Sequence, residues 1–376
     1  MANNKTSTIM ATTIQMSYVP HVAYHPGITL AEKLEELGMS VKEFAVRTSK
    51  PEKTINAILK GNSSITSDMA VAFESVTGIP ARFWMKKQQN YNEYVARQKR
   101  EEMLVSSEEW ARQFPIREMQ KRGWLPSTKT RQEKVISLFS YFAVSSPAGW
   151  EDYYCNQQLK VAFRISLAQT KHPYAISAWL RRGELQAAQT NVLNEYSADT
   201  LKRHIPLMKA MVQDISEEMP SNLQRLCAEC GIKLLYTECL PKAPISGATR
   251  WIQNVPCIQL SGRYKSQDRF WFTFFHEIGH ILLHGKKEIF LEDIEDFEQQ
   301  QEKEADADRF ASEMLLDSRQ EREIIANGDY SRMTILFYAK KFNTAPSIII
   351  GRLQHLSLLP YQVHHDLKPN IELNFN

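Results

Sequence analysis

The chain has 376 residues, of which 43% are hydrophobic and 24% are charged, and its formal net charge is +3 at pH 7. These are ordinary values for globular domains, so the charge balance indicates neither a strongly basic nor a strongly acidic protein, and any contact with nucleic acid must come from a local patch. The five cysteines are too few for a secreted disulfide scaffold, and the first twenty residues lack the apolar segment of a signal peptide. The longest apolar run, near FWFTFF, is too short to cross a bilayer. We therefore expect a cytoplasmic protein of two or three domains that makes no contact with a membrane.

The sequence pattern divides the chain into four regions. Residues 1–20 are expected to form a flexible tail. Residues 21–105 show short helical patterns separated by Gly, Ser and Pro, and residues 106–222 are helical in pattern throughout, which predicts a linker or sensor region. Residues 223–376 mix strand and helix patterns. The predicted fold class is therefore a multidomain, mainly α protein with an all-α N-terminal domain and a C-terminal α+β domain.

The C-terminal region contains three segments that are rich in β-branched and apolar residues, and they predict strands at 232–236, 248–253 and 257–261, with a turn at 254–256. A long helix is expected from about Asp268 to His284, closed by Gly285, because glycine commonly follows the last turn of a helix. A second helix is expected over roughly Gln299–Leu316.

The stretch SVKEFAVRTSKPEKTINAILKG predicts two short helices joined by a tight turn. Ser40 precedes Glu43 by three residues, which is the spacing of a capping box at a helix N-terminus. Ser49 and Glu52 repeat that spacing, and Pro51 is expected in the first turn, where its missing N–H does no harm. Two such helices form a helix-turn-helix, whose second helix enters the major groove of DNA.

Four positions on the exposed side of that second helix are candidate DNA contacts: Lys53, Thr54, Asn56 and Lys60. Asn and Lys can read base edges, and Lys and Thr can hold phosphates. On the residues alone, a small helical bundle used for packing or dimerisation remains an equal alternative.

Residues 25–94, from HPGITLAEKL to QQNYNEY, resemble the XRE-type helix-turn-helix of HigA-type antitoxins. The likeness includes the segments His25–Gly27, Thr54–Asn56 and Pro80–Trp84. It implies a homodimeric repressor that binds a double-stranded DNA operator. The sequence departs from the family at 49–52, where Glu52 would lie unfavourably near phosphates.

The segment His276-Glu277-Ile278-Gly279-His280 is an H-E-x-x-H motif. Residues four apart lie on one face of a helix, so His276 and His280 can both bind one Zn²⁺. Glu277 is the candidate general base, acting on a water molecule that zinc makes more acidic. The motif alone does not decide between a metal site and a core helix with tolerated histidines.

A third ligand is available at Glu304, which lies downstream in QEKEADADRFA. Asp308 is four residues further on and is expected to accept a hydrogen bond from the outer nitrogen of one ligand histidine, which would fix its tautomer. The alternative is a solvated acidic helix surface.

Two other potential ligand sets compete with this one. His284 is four residues after His280 and therefore still on the helix, so we expect a residue of the last turn or of the cleft wall rather than a ligand. Cys227 and Cys230 have the C-x-x-C spacing but lack a second pair, so two buried free thiols are expected there.

Residues 245–316 resemble the ImmA/IrrE family of zinc metallopeptidases. The residues that carry the resemblance are Ser246–Ala248, Ile258–Ser261, Arg263–Lys265, Phe270–His280 and Ala307–Ala311. It implies a zincin-like fold, with His276, His280 and Glu304 as zinc ligands and Glu277 as the base. Asp308 replaces the family's usual Asn, which is the form found in gluzincins. Known members act on an XRE-type repressor or in toxin–antitoxin control.

The predicted strand at 256–261 directly precedes the helix that carries the H-E-x-x-H motif. Zinc peptidases commonly pair an edge strand with an extended substrate. We therefore expect a substrate strand at Ile258, Gln259 and Leu260.

These observations predict a DNA-binding regulator, similar to a repressor or an antitoxin, that carries a zinc-dependent endopeptidase acting on a regulatory protein or on itself. One alternative is a regulator in which the zinc fold is only a sensor or a scaffold. Another is an antitoxin that neutralises a toxin partner through its N-terminal half. The retained Glu277 favours the first, because a scaffold has no need of a base.

Overall fold

The computed structural model describes residues 22–158, 172–243, 245–284, 290–291 and 298–373. The chain divides into two compact units, Met1–Val105 and Ser106–Asn376. The expected domain boundary between 222 and 223 stays a prediction. No helix within the described ranges is long and apolar enough to cross a membrane.

The N-terminal unit is all-α, as predicted. Its helices are α1 Pro26–Glu36, α2 Val41–Arg47, α3 Glu52–Leu59, α4 Ser67–Thr77 and α5 Ala81–Ser106. They enclose a core of large apolar side chains, which includes Leu30, Leu34, Phe44, Ile55, Ile58, Phe73 and Trp84.

The start of α1 explains the His25-Pro26-Gly27 segment. The Nδ1 atom of His25 accepts a hydrogen bond from the Gly27 N–H at 3.0 Å, and Pro26 occupies the first turn, where no N–H is needed. A Cβ atom on Gly27 would lie 2.0 Å from the Ile58 carbonyl oxygen. The backbones of α1 and α3 therefore approach so closely that only glycine fits.

The predicted N-cap of α2 is confirmed, but the predicted capping box is incomplete. Ser40 accepts a hydrogen bond from the Glu43 N–H at 3.2 Å. The Glu43 carboxylate does not complete the capping box, because it pairs with Arg47 one turn later at 2.7 Å.

The predicted capping at Ser49 is wrong. Ser49 has φ 54°, and it ends α2 instead of starting α3. Its N–H donates to Val46, and the Lys50 N–H donates to Ala45, which is the hydrogen-bond pattern of a Schellman motif. Pro51 is itself the N-cap of α3, with no side-chain cap.

The second unit begins with helices and continues as an α+β fold. Its first helices are α6 Glu108–Arg112, α7 Ile116–Lys121, α8 Arg131–Phe142 and α9 Pro147–Trp150, followed by a π-helical stretch Glu151–Gln158. Next come α10 Pro173–Gln189, α11 Ala198–Ala210, the 3₁₀ turn Met211–Gln213 and α12 Met219–Glu229. The strands and later helices are β1 Lys233–Tyr236, β2 Gly247–Ile252, β3 Val255–Leu260, α13 Gln267–Leu283, β4 Phe290–Leu291, α14 Glu298–Leu315, α15 Ser318–Asn327, α16 Arg332–Lys341, α17 Pro346–His355 and the 3₁₀ turn His365–Leu367.

The four strands lie in the order β1-β3-β2-β4. β3 runs parallel to β1 and antiparallel to β2, and β2 is antiparallel to β4. Gln253 and Asn254 form the two-residue turn between β2 and β3, with φ values of 51° and 65°, which are those of a type I′ turn. The observed turn thus begins one residue before the turn expected at 254–256, and Val255 and Pro256 belong to β3.

The two long predicted helices are present, with ends one residue from those expected. His284 follows the last residue of α13, and the closing role expected of Gly285 lies outside the described residues. α13 packs on one face of the sheet and against α14 and α17. The mainly α, multidomain fold class with a C-terminal α+β domain is confirmed.

The opposite face of the sheet is covered by α10, which belongs to the region expected to be a linker. The Gln259 side chain of β3 donates to the Trp179 carbonyl oxygen at 2.8 Å, and Arg250 of β2 pairs with Glu184 at 3.1 Å. A Cβ on Gly183 would lie 2.1 Å from the Gln259 oxygen. The sheet therefore has a helix on each face, and part of residues 106–222 is packed into the same fold.

Candidate metal centre and DNA-binding surface

One face of α13 brings two imidazoles together. The Nε2 atoms of His276 and His280 lie 2.9 Å apart, and the two residues are 2% and 1% exposed. They project from one side because four residues make about one helical turn. The apolar residues between and around them, such as Phe274, Phe275 and Ile278, are fully buried and hold the helix in the core.

α14 adds a carboxylate to this pair. Glu304 Oε2 lies 3.0 Å from His276 Nε2, and Oε1 lies 3.4 Å from His280 Nε2. One donor atom from each of the three residues lies within 4.8 Å of the others. A Cβ on Gly279 would lie 3.2 Å from the Ala307 Cα atom, so this glycine allows the two helices to approach closely. The three residues form a set that can hold a metal ion.

The outer nitrogens of both histidines are engaged. His276 Nδ1 lies 2.9 Å from Asp308 Oδ1, and because a carboxylate accepts, the imidazole donates from Nδ1 and keeps its Nε2 lone pair for a ligand position. His280 Nδ1 lies 3.0 Å from Nδ1 of His284. The structure thus places Asp308 where the sequence predicted it, and it places His284 as a partner of a ligand candidate, outside the group of three.

The pKa values of His280 and Glu304 favour the protonation states that metal ligands need. Burial lowers the pKa of His280 to about 4, more than the nearby Glu304 raises it. For Glu304, burial raises the pKa, but its contacts with the imidazoles of His276 and His280 outweigh that effect and hold the pKa at about 2. At neutral pH the His280 imidazole is therefore neutral and the Glu304 carboxylate is ionised, as zinc ligation requires.

Glu277 is fully buried beside this group. Its carboxylate lies against the first residue of β2, since a Cβ on Gly247 would be 2.4 Å from Glu277 Oε1. The methyl group of Thr273 lies at the same point, 2.8 Å from that Cβ position. The Thr249 hydroxyl of β2 donates to the Glu277 carbonyl oxygen at 3.3 Å. β2 is thus the strand that packs on the candidate base.

The expectation of an edge strand at Ile258, Gln259 and Leu260 is wrong. β3 lies between β1 and β2 and is paired on both sides, so these residues have no free edge for a peptide. The Gln259 side chain is fully buried and points to α10, away from α13. The strand order could not be read from the sequence, because β1 and β4 come from segments distant in the chain.

A cavity of about 700 Å³ opens beside the metal-ligand candidates. His276, Glu304 and Asp308 line one part of it, and so does Ser246, which directly precedes β2. Further lining residues come from α13, α14, α17 and the loop before α13, and they include Tyr264, Arg269, Phe272, Arg309 and Ile348. Arg269 and Ile348 belong to none of the sequence motifs described above, and only the three-dimensional packing brings them to the site.

In the N-terminal unit, α2 and α3 form the predicted helix pair. Ile55 and Ile58 bury one side of α3. Lys53 and Lys60 are exposed, and Thr54 and Asn56 are half-buried. Lys53, Asn56 and Lys60 lie at intervals of three and four residues and share one side, while Thr54 is displaced around the helix. Lys60 follows the last residue of α3.

Two family models match the chain. The helix-turn-helix model matches residues 30–84, and the Peptidase M78 model, described as an IrrE N-terminal-like domain, matches residues 227–353. The second match contains His276, Glu277, His280 and Glu304. M78 peptidases are typically metal-dependent.

Relatives of the N-terminal unit are regulators and antidote proteins. An uncharacterised HTH-type transcriptional regulator, YddM of Escherichia coli K12, is 32% identical over 63 residues, which cover 17% of this chain and 67% of that protein. A HigA-family addiction-module antidote protein of Coxiella burnetii is 33% identical over 22% of this chain and 91% of its own, with a TM-score of 0.21. PA4674 of Pseudomonas aeruginosa, solved with its operator DNA, is 30% identical over 20% of this chain and 82% of its own, with a TM-score of 0.19.

The two family-model matches agree with the helix-turn-helix and ImmA/IrrE resemblances predicted from the sequence. The chain belongs to the XRE-type helix-turn-helix regulators and joins that DNA-binding domain to an IrrE/ImmA-like domain of the M78 peptidase family.

Proposed function

We propose that this chain is a transcriptional regulator, repressor-like or antitoxin-like, whose C-terminal domain is a zinc-dependent endopeptidase that cleaves a regulatory protein or the chain itself. One observation carries the proposal. Donor atoms of His276, His280 and Glu304 converge within 4.8 Å, and the buried carboxylate of Glu277 lies in the next position of the same helix.

The three converging residues fit zinc. Two neutral imidazoles and one carboxylate are the donor set of many catalytic zinc sites, in which a fourth position stays open. When bound there, Zn²⁺ supplies Lewis acidity, which polarises a carbonyl group and makes a water molecule more acidic. Asp308 orients the His276 ring through Nδ1, and His284 does the same for His280.

Glu277 is the group that moves protons in this proposal. Its carboxylate accepts a proton from the attacking water molecule as the new carbon–oxygen bond forms. It then returns that proton to the leaving nitrogen as the peptide carbon–nitrogen bond breaks. Burial between Thr273 and Gly247 keeps competing water from this carboxylate.

The N-terminal domain would direct the chain to DNA. We propose that α3 enters the major groove, with Asn56 reading a base edge and Lys53, Thr54 and Lys60 holding the adjacent backbone. Regulators with this motif bind two half-sites as homodimers, so we expect a dimer on a nearly palindromic operator.

Zinc content tests the metal site. We expect about one zinc ion per chain in the wild type and none in His276→Ala or Glu304→Ala. Glu302→Ala is the matched control, because Glu302 is an exposed carboxylate on the same helix outside the group of three, and it should keep its zinc. Zinc that persists in Glu304→Ala would show that another residue completes the site.

A Glu277→Gln variant tests proteolysis separately from folding. It should keep zinc and operator binding but fail to cleave, so that in cells repression persists after an inducing signal. If wild type and Glu277→Gln respond identically, the zinc fold acts as a sensor or scaffold.

A further inference from the structure

We propose that Arg269 determines the substrate specificity of the cleft by selecting a peptide with an acidic side chain about three residues from the cleaved bond. The inference rests on the proposed peptidase function, because the metal-ligand candidates define where the bond would be cut.

The position of Arg269 sets the distance. Arg269 and His276 are seven residues apart in α13, so they lie on the same side of the helix two turns apart, and both line the cavity. At 1.5 Å per residue their Cα atoms are separated by roughly 10 Å along the axis. An extended peptide advances about 3.3 Å per residue, so about three residues cover that distance.

The orientation of Arg269 is restricted by an aromatic ring. Its guanidinium carbon lies 4.3 Å from the centre of the Tyr264 ring, and Tyr264 lines the same cavity. The guanidinium carbon of Arg263 lies 4.9 Å from the same ring. Stacking on an aromatic ring holds the planar guanidinium while leaving its N–H groups available, so less conformational entropy is lost when a ligand binds.

Arg269 differs from the other arginines that line the cavity in having no carboxylate partner among the described residues. Each carboxylate that lines the cavity contacts a described partner: Asp268 meets Lys368, Glu304 meets both ligand histidines, Asp308 meets His276, and Glu313 meets Ser318. Two other lining arginines also have carboxylate partners, which are Asp306 for Arg309 and Glu321 for Arg352. Among the residues that the structure describes, no carboxylate oxygen lies within 4.0 Å of the Arg269 guanidinium.

A carboxylate is the ligand that this guanidinium fits best. Arginine binds carboxylates through two parallel N–H···O bonds, and such charge-assisted pairs are stronger than neutral hydrogen bonds. In a partly solvated cleft we expect a preference of about tenfold for Asp over Asn at the matching position of the peptide.

Binding is measured with the full-length, zinc-loaded Glu277→Gln protein, so that the readout does not need cleavage. The probes are fluorescein-labelled twelve-residue peptide pools that are degenerate except for one fixed Asp, Asn or Lys. We expect about tenfold tighter binding of the Asp pool than of the Asn pool. Arg269→Ala should abolish the difference, and Arg269→Glu should shift the preference to the Lys pool. Arg203→Ala, an exposed arginine of α11 outside the cavity, should behave like the parent protein.

Cleavage then gives the position of the subsite. Wild-type protein is incubated with the Asp pool, and mass spectrometry locates the cut relative to the Asp residue, which we expect about three residues away. For an Asp peptide, Arg269→Ala should raise KM about tenfold while leaving kcat unchanged.

The outcomes separate this inference from the proposed function. Asp-dependent binding without cleavage would support the subsite and remove the peptidase proposal. Cleavage without a preference for acidic peptides, or equal affinity for the Asp and Asn pools, would overturn the role of Arg269.

Discussion

Replacing Gly247 with alanine is expected to displace the proposed base without touching the metal ligands. The added Cβ would lie 2.4 Å from Glu277 Oε1 and 2.8 Å from the Thr273 methyl carbon, and both separations are well below van der Waals contact. Overpacking of this kind costs about 1–3 kcal/mol. For a unit of this size, each kcal/mol lowers the melting temperature by about 2–4 °C.

The assay is scanning calorimetry of Gly247→Ala in two backgrounds, wild type and Glu277→Ala. Removing the carboxylate removes the nearer of the two clashes, so the substitution should cost about 1 kcal/mol less in the second background. Zinc content should stay at the wild-type level, because Gly247 contacts the base and not a ligand. If the wild type cleaves a peptide, the single variant should do so roughly 100-fold more slowly, since a shift of about 1 Å is enough for such a loss.

Gly149→Ala serves as the control, because a Cβ there meets its nearest neighbour at an ordinary 3.4 Å and should cost little. An equal fall in melting temperature on Gly247→Ala in both backgrounds would contradict this prediction. That result would mean that the Glu277 carboxylate does not lie against β2.

Three other predictions concern the N-terminal core and the chemistry of the site. Gly27→Ala should destabilise the N-terminal unit by about 2–3 kcal/mol and weaken operator binding in a gel-shift assay, because the added Cβ would lie 2.0 Å from the Ile58 carbonyl oxygen. The control Gly38→Ala, which has open space at its Cβ, should cost only about 1 kcal/mol. The metal-free protein should lose stability as the pH falls from about 6.5 to 4. Burial holds the pKa of His280 at about 4 in the folded state, so over this range the unfolded state binds a proton that the folded state does not. Melting temperatures measured in EDTA that do not change with pH would contradict this prediction. Asp308→Ala should lower zinc affinity about 10- to 100-fold in a chelator competition, and unchanged affinity would show that its 2.9 Å contact with a ligand histidine is not needed.

The parts of the site that depend on local spacing were predictable. Two histidines four residues apart must share a helix face, and the carboxylate at Glu304 was identified from its own helical pattern, so the structure brings together the three side chains that the sequence had selected. The N-cap at Ser40 followed from the same kind of local rule. Ser49 failed it because a residue three before an acidic one can equally end the preceding helix, as Ser49 does with its φ of 54°.

Features that depend on contacts between distant segments were not predictable. The strand at 255–260 looks like an edge strand in the sequence, since it directly precedes the helix that carries the H-E-x-x-H motif. β1, more than twenty residues earlier, pairs with one side of it, and β2 pairs with the other, so it lies inside the sheet. The same limit hid Arg269, whose place in the cleft depends on Tyr264 and on helices that follow in the chain.

Strand β2 contacts α10 on one face and the proposed active site on the other. Successive residues of a strand point to opposite faces, so Gly247 and Thr249 face α13, where they contact Glu277, while Arg250 faces α10 and pairs with Glu184. Arg250 is only 4% exposed, and breaking such a buried pair on one side typically costs about 3–5 kcal/mol. α10 and the base are therefore held by alternate residues of one short strand. Because packed interiors transmit displacement instead of absorbing it, α10 cannot move relative to the sheet without altering the surface on which the Glu277 carboxylate rests.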